Sequence, residues 1–149
     1  MGELMRISLH RRIGDSVLQN LNRCYQQRSQ LLVDILATEP RIKIAHRPIG
    51  GYFVWVTFES IRNVSEFLEY CRKRGLIFLA GDRCDVFAGQ HNETKSGLSR
   101  NVCSSSARLC FADMDVQDLE QGAKLLVELY KDFPKFYGLK EDDGDEKKE

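Results

Sequence analysis

The sequence lacks an excess of charge of either sign, because Lys plus Arg and Asp plus Glu each number 22 among its 149 residues. Proteins that bind nucleic acids or anionic membranes in a general way carry a basic excess, so no nucleic acid and no membrane is expected as a partner. An apolar signal-peptide core and any run of 18 apolar residues are also missing. We therefore expect a reducing compartment, either cytoplasmic or the mitochondrial matrix.

Paired cysteines of the Cys-x-x-Cys type are absent, although the chain has five cysteines. An odd number without such a pair predicts neither a disulfide framework nor a zinc site. Cys24, Cys71 and Cys110 fall on apolar faces of predicted elements, and we expect them to act as small core residues.

Common catalytic signatures are missing too. The sequence has no His-Glu-x-x-His, no Gly-x-x-x-x-Gly-Lys-Ser/Thr phosphate loop and no Gly-x-Ser-x-Gly elbow. Its three histidines, His10, His46 and His91, stand apart in polar surroundings, which is typical of solvated surface residues. The sequence therefore predicts no metal site and no catalytic residue of its own.

The most strongly patterned stretch is residues 50–58, Gly-Gly-Tyr-Phe-Val-Trp-Val-Thr-Phe. Seven consecutive apolar or β-branched residues suit a buried strand. Pro48 and the two glycines predict a tight turn just before it.

Helical and alternating patterns surround this strand. They predict helices over 16–36, after the cap Asn63, and over 116–131, and strands over 41–46, 76–80 and 106–112. Residues 82–104 predict a long functional or disordered loop. The order of elements predicts an α/β fold, with helices packed on a small mixed sheet. Residues 1–14 show no period and are expected to be a leader or the stub of something longer, and residues 139–149 a disordered charged tail.

Arg108 is a charged residue inside an otherwise apolar predicted strand. The planar guanidinium of an arginine held on a rigid strand matches a carboxylate in two parallel hydrogen bonds, which lysine cannot copy. The alternative is an outward-facing residue of an alternating strand, and the spacing alone leaves both open.

Five motifs together resemble one family. They are Tyr25-Gln-Gln-Arg28, Pro48-Ile-Gly-Gly-Tyr-Phe-Val-Trp55, Arg74-Gly75-Leu-Ile-Phe-Leu-Ala-Gly81, Arg108-Leu-Cys-Phe-Ala112 and a closing helix with Gly122. In this order they resemble the C-terminal small domain of fold-type I, pyridoxal-phosphate-dependent class I/II aminotransferases. The branch of aminoadipate, kynurenine and multi-substrate aminotransferases looks most similar, and the resemblance covers residues 15–138.

The resemblance implies that Arg108 binds the α-carboxylate of an amino-acid or 2-oxo-acid substrate. It further implies that Tyr52 and Phe53 lie on the substrate-facing side, and that Gly81 and the loop after it approach the mouth of the active site. In such enzymes the lysine that binds pyridoxal phosphate belongs to the large domain, and no lysine of this sequence lies in the corresponding Ser-x-Ser-Lys motif. Pyridoxal phosphate is thus expected in the intact family enzyme and not in this chain alone.

Two functions follow as hypotheses. The chain is either the small domain of a transaminase, inactive without its large domain, or a non-catalytic binding module derived from one, with a full-length homologue as its partner. A fragment and a truncated paralogue both fit the first hypothesis, and an unrelated α/β domain is a third possibility. Exposed apolar side chains on the first helix and around Tyr52 and Phe53 would favour the first hypothesis, because a partner would cover them.

Overall fold

A computed structural model gives the backbone of residues 2–84 and 103–136 and the side chains of residues 14–84 and 103–133. Most of the predicted 82–104 loop and the whole 139–149 tail lie outside these residues. The described part contains three α-helices, four strands and a 3₁₀ turn at Gly81–Cys84: α1 (Gly2–Leu36), β1 (Ile42–Ile44), β2 (Phe53–Phe58), α2 (Val64–Arg72), β3 (Leu79–Ala80), β4 (Ser106–Cys110) and α3 (Val116–Phe136).

The strands form one sheet in the order β1-β2-β4-β3. Each of its three pairings is antiparallel, where the sequence analysis expected a mixed sheet. The last of the described strands, β4, inserts between β2 and β3 and pairs with both. The α/β fold class, with helices packed on a small sheet, is confirmed.

Side chains alternate between the two faces of the sheet, as the strand period of two requires. Val54, Val56 and Phe58 of β2 are buried and join a core formed with all three helices. On the opposite face, which we call the open face, Phe53, Trp55, Arg108 and Cys110 remain exposed or half-buried. One face of the sheet is therefore available to a ligand or a partner.

Helix α1 begins at Gly2, so the predicted start of the first helix at residue 16 is wrong, whereas the interpretation of residues 1–14 as a leader or a stub stays a prediction. Residues 14–23 are exposed on every side of the helix, so this part of α1 does not pack on the described core. A helix extends by one backbone hydrogen bond per added residue once it has nucleated, and packing is not required for this. The proposed domain boundary at residue 15 stays a prediction.

The turn after α2 sets the position of the following segment. Asn63 caps α2 as predicted, since its Oδ1 accepts a hydrogen bond from the Ser65 N–H at 3.1 Å. Gly75 ends the helix region with a positive φ of 86°, a conformation that favours glycine. The next segment was predicted as a strand over 76–80, but only Leu79 and Ala80 pair with β4.

Gly81 lies where β3 meets β4, and it is buried there. A Cβ at this position would stand 2.6 Å from both the Cys103 and the Ser106 carbonyl oxygens. The absence of a side chain therefore allows the two backbone segments to approach each other closely. This structural role is an observed one, whereas the proposed role of Gly81 at an active-site mouth stays a prediction.

Candidate functional site

Arg108 stands near the middle of the sheet. Its strand, β4, is paired on both sides, and Arg108 lies opposite Trp55 of β2 and Leu79 of β3. Alternation along β4 directs the Ala107 and Leu109 side chains into the core and the Arg108 side chain onto the open face. A doubly paired strand fixes the backbone below the guanidinium, which is the property expected of a rigid binding residue.

The Arg108 guanidinium lies over the ring of Phe53, with its Cζ atom 4.1 Å from the ring centroid. This is a cation–π contact, and it orients the guanidinium plane without using any of its N–H donors. Among the side chains that the structure describes, none forms an ion pair or hydrogen bond with this guanidinium. Its five donors are thus open to an anion as far as the described residues are concerned.

Tyr52 lies immediately before β2 and is 52% exposed. Its ring makes edge contacts with Tyr25 of α1 at 5.4 Å and with Phe53 at 6.3 Å between centroids. It contacts Phe53 but does not line the cavity next to Arg108. The structure therefore brings Arg108 and Phe53 together, and it places Tyr52 one ring further away; the substrate-binding roles of all three stay proposals.

A cavity of about 390 Å³ opens beside Arg108 and Phe53. It lies between the segment 75–79, the end of β4 and one side of α3. It exists because residues 76–78 do not pair with β4, which leaves the edge of the sheet open next to Leu109 and Cys110. The failure of the predicted long strand over 76–80 and the presence of the cavity thus have the same cause.

The lining of this cavity is almost entirely apolar. Of the described residues around it, only Arg108 and Asp113 carry a charge. The remainder are Leu32, Phe53, Gly75, Leu76, Ile77, Phe78, Leu79, Leu109, Cys110, Met114, Leu119, Gly122, Ala123 and Leu126. We call this space the Arg108 cavity.

The sequence offers Asp113 or Asp115 as the cap of the last helix. The Leu119 N–H donates to the Asp115 carbonyl oxygen at 2.9 Å, which places the start of α3 after Asp115 and favours the second alternative. Asp113 is exposed and lies at the Arg108 cavity. Sequence reasoning missed this position, along with Ile77 and Met114, since nothing in a one-dimensional pattern shows that the 76–78 segment leaves the sheet.

The three cysteines expected in the core differ in their surroundings. Cys71 is fully buried, and burial raises the pKa of its thiol to about 12, so it stays neutral and packs as an apolar group. Cys24 is half-buried. Cys110 is exposed on the open face beside Phe53, so the expectation that it is a core residue is wrong. It follows Leu109 in the alternation of β4 and therefore points away from the helices.

A second cavity of about 470 Å³ lies between α1 and the turn at residues 48–51. No charged side chain is among the described residues that line it, which include Asn22, Tyr25, Gln26 and Ser29. It offers a carboxylate no cation, and we therefore place the candidate site at the Arg108 cavity. Within the described residues, no three His, Cys, Asp or Glu side chains group as metal ligands, and no helix is long and apolar enough to cross a membrane.

No family model matches this sequence, and no curated protein matches it. Solved structures do match the fold. LysN, an α-aminoadipate aminotransferase from Thermus thermophilus, superposes with a TM-score of 0.69 and 18% identity, over 87% of this chain and 30% of that one. The fold is that of one part of an aminotransferase.

Two further aminotransferases agree with this. The kynurenine aminotransferase of Pyrococcus horikoshii gives a TM-score of 0.60 at 22% identity, over 80% of this chain and 25% of that one. The aromatic aminotransferase Aro9 of C. albicans gives 0.60 at 17% identity, over 76% and 25%. The chain thus spans less than a third of the length of each, and the resemblance seen in its motifs is confirmed at the level of the fold.

The lysines whose side chains the structure describes do not fit a pyridoxal phosphate site. The described lysine side chains, Lys43, Lys73, Lys124 and Lys131, are all exposed. Lys43 and Lys124 form ion pairs with Glu59 and Glu120 at 3.4 Å and 2.6 Å. A lysine that attacks a carbonyl is commonly activated by desolvation, and these exposed surface positions do not provide it.

Proposed function

We propose that this chain acts as the small domain of a pyridoxal-phosphate-dependent aminotransferase, in which Arg108 binds the carboxylate of the amino-acid or 2-oxo-acid substrate. The observation that carries the proposal is the state of Arg108. Its guanidinium is fixed on a doubly paired strand, stacked on Phe53 and left without a described partner, at the mouth of a cavity.

The chemistry of the guanidinium supports a carboxylate as its ligand. Arginine offers two parallel N–H donors that match the two oxygens of a carboxylate, and stacking on Phe53 holds the plane of these donors. Charge-assisted hydrogen bonds of this kind contribute about 1.5–3 kcal/mol each. An amino acid bound in this way would keep its carboxylate at the open face of the sheet.

The transfer of the amino group itself needs residues outside the described part of this chain. Since no described lysine fits the cofactor, these residues bind and orient the substrate, and a further segment, in this polypeptide or in another, would hold pyridoxal phosphate. The matched aminotransferases are more than three times as long as the matched region, which leaves room for such a segment in each of them.

Exposed apolar side chains favour this proposal over a free-standing binding module. Val17, Leu18 and Leu21 on α1 are 51%, 59% and 42% exposed, and Tyr52 and Phe53 are 52% and 43% exposed. A domain that works alone usually buries such side chains, whereas in a small domain they would be covered by its large domain.

The test is an NMR titration of the isotope-labelled chain with 4-methyl-2-oxopentanoate. We expect saturable shifts at roughly millimolar ligand that are centred on β2, β4 and the 75–79 segment, and a loss of affinity of at least about tenfold in Arg108→Gln. Arg62→Gln is the matched control. Arg62 is exposed and follows the Phe58 end of β2, whereas Phe53, the contact of Arg108, lies at the other end of that strand. Equal titration of Arg108→Gln and the wild type, or no saturable shift in the wild type, would overturn the proposal.

A further inference from the structure

We infer that the acidic segment over residues 141–146 folds back onto the C-terminal end of α2 and forms an intramolecular contact with the basic side chains there. These are Arg72, Lys73 and Arg74, which we call the basic end of α2. The basic end directly precedes the segment 75–79, so the contact would lie beside the Arg108 cavity without using the residues that line it. The inference does not depend on the proposed role of Arg108.

The two partners are the most one-sided blocks of charge in the sequence. Residues 141–146, Glu-Asp-Asp-Gly-Asp-Glu, contain five carboxylates and no cation. Residues 72–74, Arg-Lys-Arg, are the one run of three consecutive Lys or Arg residues in the sequence. Opposite charges on two surfaces steer those surfaces towards each other, so the blocks are complementary.

The structure presents the basic end of α2 to solvent. All three of its side chains are exposed. The Arg74 guanidinium stacks on the Tyr70 ring, with Cζ 3.7 Å from the centroid, and donates to the Tyr70 carbonyl oxygen at 3.1 Å, which fixes one charge at the surface. Arg72 pairs with Glu69 at 3.5 Å, and such an exposed ion pair is weak enough to exchange partners.

The end of α2 stays positive when the neighbouring negative charges are counted. A helix C-terminus carries about half a negative charge, and Glu69 carries a full one, which together offset about half of the three positive charges. Lys131 and Asp132, on the adjoining helix α3, have opposite signs and balance each other. The remaining charge attracts an anionic segment.

The end of α3 brings the acidic segment within reach. The Phe133 ring packs on Tyr70, the ring that carries Arg74, with 5.3 Å between centroids. Helix α3 ends at Phe136, about one turn after Phe133. Four residues separate Phe136 from Glu141, and five extended steps of the chain span up to roughly 17 Å. The first carboxylates can therefore reach the basic end of α2.

A tethered contact of this kind needs little intrinsic affinity. A short linker holds its two ends at an effective concentration in the millimolar range. Each exposed ion pair is weak, but five anions facing three cations allow several alternative pairings without a fixed conformation. The contact is thus compatible with the disordered charged tail that the sequence predicts. It should weaken with salt, since the screening length falls from about 10 Å at 0.1 M to about 3 Å at 1 M.

The test adds the acidic segment in trans. A synthetic peptide with the sequence of residues 139–149 is titrated into the isotope-labelled chain and into a neutral-tail variant, at about 20 mM salt to limit screening. The neutral-tail variant carries Glu141→Gln, Asp142→Asn, Asp143→Asn, Asp145→Asn and Glu146→Gln. We expect the peptide to shift amide signals over residues 70–76 of the variant, and to bind the wild type at least about threefold more weakly, because the chain's own segment competes.

Charge variants on α2 locate the contact. In the neutral-tail background, Arg72→Gln combined with Lys73→Gln should abolish saturable binding of the peptide. Arg62→Gln is the matched control, which removes a cation just before α2 begins and should leave the peptide affinity within about twofold. All three positions are exposed, so these variants should fold, and their amide spectra verify this.

Three results would overturn the inference. The first is equal peptide affinity in the wild type and the neutral-tail variant, or no saturable shift in either. The second is a set of shifts centred away from residues 70–76. The third is a difference between the two spectra that grows with protein concentration, because the occupant would then be the acidic segment of a second copy.

Salt provides an independent check on the same two proteins. Without peptide, the amide signals of residues 70–76 should differ between the wild type and the neutral-tail variant at about 20 mM salt and coincide at about 1 M. A difference that persists at high salt would mean that the contact is not electrostatic, and the inference would fail.

Discussion

Arginine side chains of this chain differ in what their guanidinium groups contact. Arg28 on α1 donates to the carbonyl oxygen of Ala112, and Arg41 and Arg47 pair with Glu39 and Asp34. These contacts join elements of the fold. Arg108 instead stacks on an aromatic ring and has no described acceptor. The contrast separates these three arginines, which contact other residues of the domain, from Arg108, whose donors are open to a ligand as far as the described residues are concerned.

Glu39 is the one buried carboxylate among the described residues, and its surroundings lead us to expect that the stability of the fold depends on pH. It is 5% exposed and accepts a hydrogen bond from the Arg41 side chain at 2.9 Å, with Lys131 3.9 Å away. The hydrogen bond from Arg41, more than the two positive charges nearby, holds the pKa of Glu39 below its ordinary value of 4.5, against the opposing effect of burial.

A carboxyl group with a lowered pKa in the folded state stabilises that state above the pKa of the unfolded chain, and this contribution is lost as the pH falls through the lower, folded value. We therefore expect the difference in unfolding free energy between the wild type and Glu39→Gln to be constant above about pH 5 and to shrink below pH 4.5. Urea unfolding at a series of pH values measures it. The control is Glu59→Gln, because an exposed ion pair contributes little to stability; an equally large change there would contradict the assignment.

The edge of the sheet is the element that determines the site. Strand β3 is two residues long, and the segment before it stays apart from β4, which opens the Arg108 cavity. Gly81 then brings the chain back against β4. Because Gly81 has no side chain, its backbone can lie close to the carbonyl oxygens of Cys103 and Ser106. A small change at this glycine should therefore be felt by both the fold and the site.

Gly81→Ala tests this packing. Its Cβ would collide with two backbone oxygens, which cannot rotate away, so we expect a loss of about 1–3 kcal/mol in unfolding free energy. Gly122→Ala in α3 is the matched control, because its Cβ would meet only Leu76 Cδ1 at an ordinary 3.8 Å. That change should be neutral or stabilising by up to about 1 kcal/mol, through helix propensity. Chemical denaturation compares the two; similar values for both would show that Gly81 is not tightly packed.

Much of this element level could be predicted from the sequence, for reasons that particular residues show. The run from Phe53 to Phe58 and the cap at Asn63 are local signals, and both are confirmed. The start of α1 was missed because residues 1–14 carry no apolar period in the sequence. The length of β3 was missed because the residues from Leu76 to Phe78 do not show whether they pair with β4, which follows some thirty residues later. Arg108 could be proposed as a site residue from the sequence because a charge within an apolar strand is rare. Asp113 could not, because it resembled an ordinary helix cap.

For the whole molecule, the apolar surface on α1 is the feature that bears on a partner. The C-terminal part of this helix, with Leu32, Val33 and Leu36, is buried against the core, whereas Val17, Leu18 and Leu21 are exposed. The helix thus packs on the core through its C-terminal part. Further towards its N-terminus it has a stripe of apolar side chains, Val17, Leu18 and Leu21, that no described residue buries. A stripe that awaits a partner contributes almost nothing to the stability of the chain alone.

Paired truncations on α1 test this division. Leu36→Ala should cost about 2–5 kcal/mol, because Leu36 is fully buried and its loss leaves a cavity. Leu18→Ala should change the unfolding free energy by less than about 0.5 kcal/mol, because its side chain is 59% exposed. Thermal and chemical unfolding give both values. A large cost at Leu18 would mean that the stripe is already covered within the folded chain, and the argument for an absent partner would fail.

The most direct measurement is the side-chain Nε–H NMR signal of Arg108, identified by its loss in Arg108→Lys and followed during titration with 4-methyl-2-oxopentanoate. If Arg108 binds the substrate carboxylate, this signal should shift and saturate together with the backbone amides of β4, because the N–H donors gain an anionic acceptor. A signal that stays in place while other parts of the chain respond to the ligand would contradict the central claim.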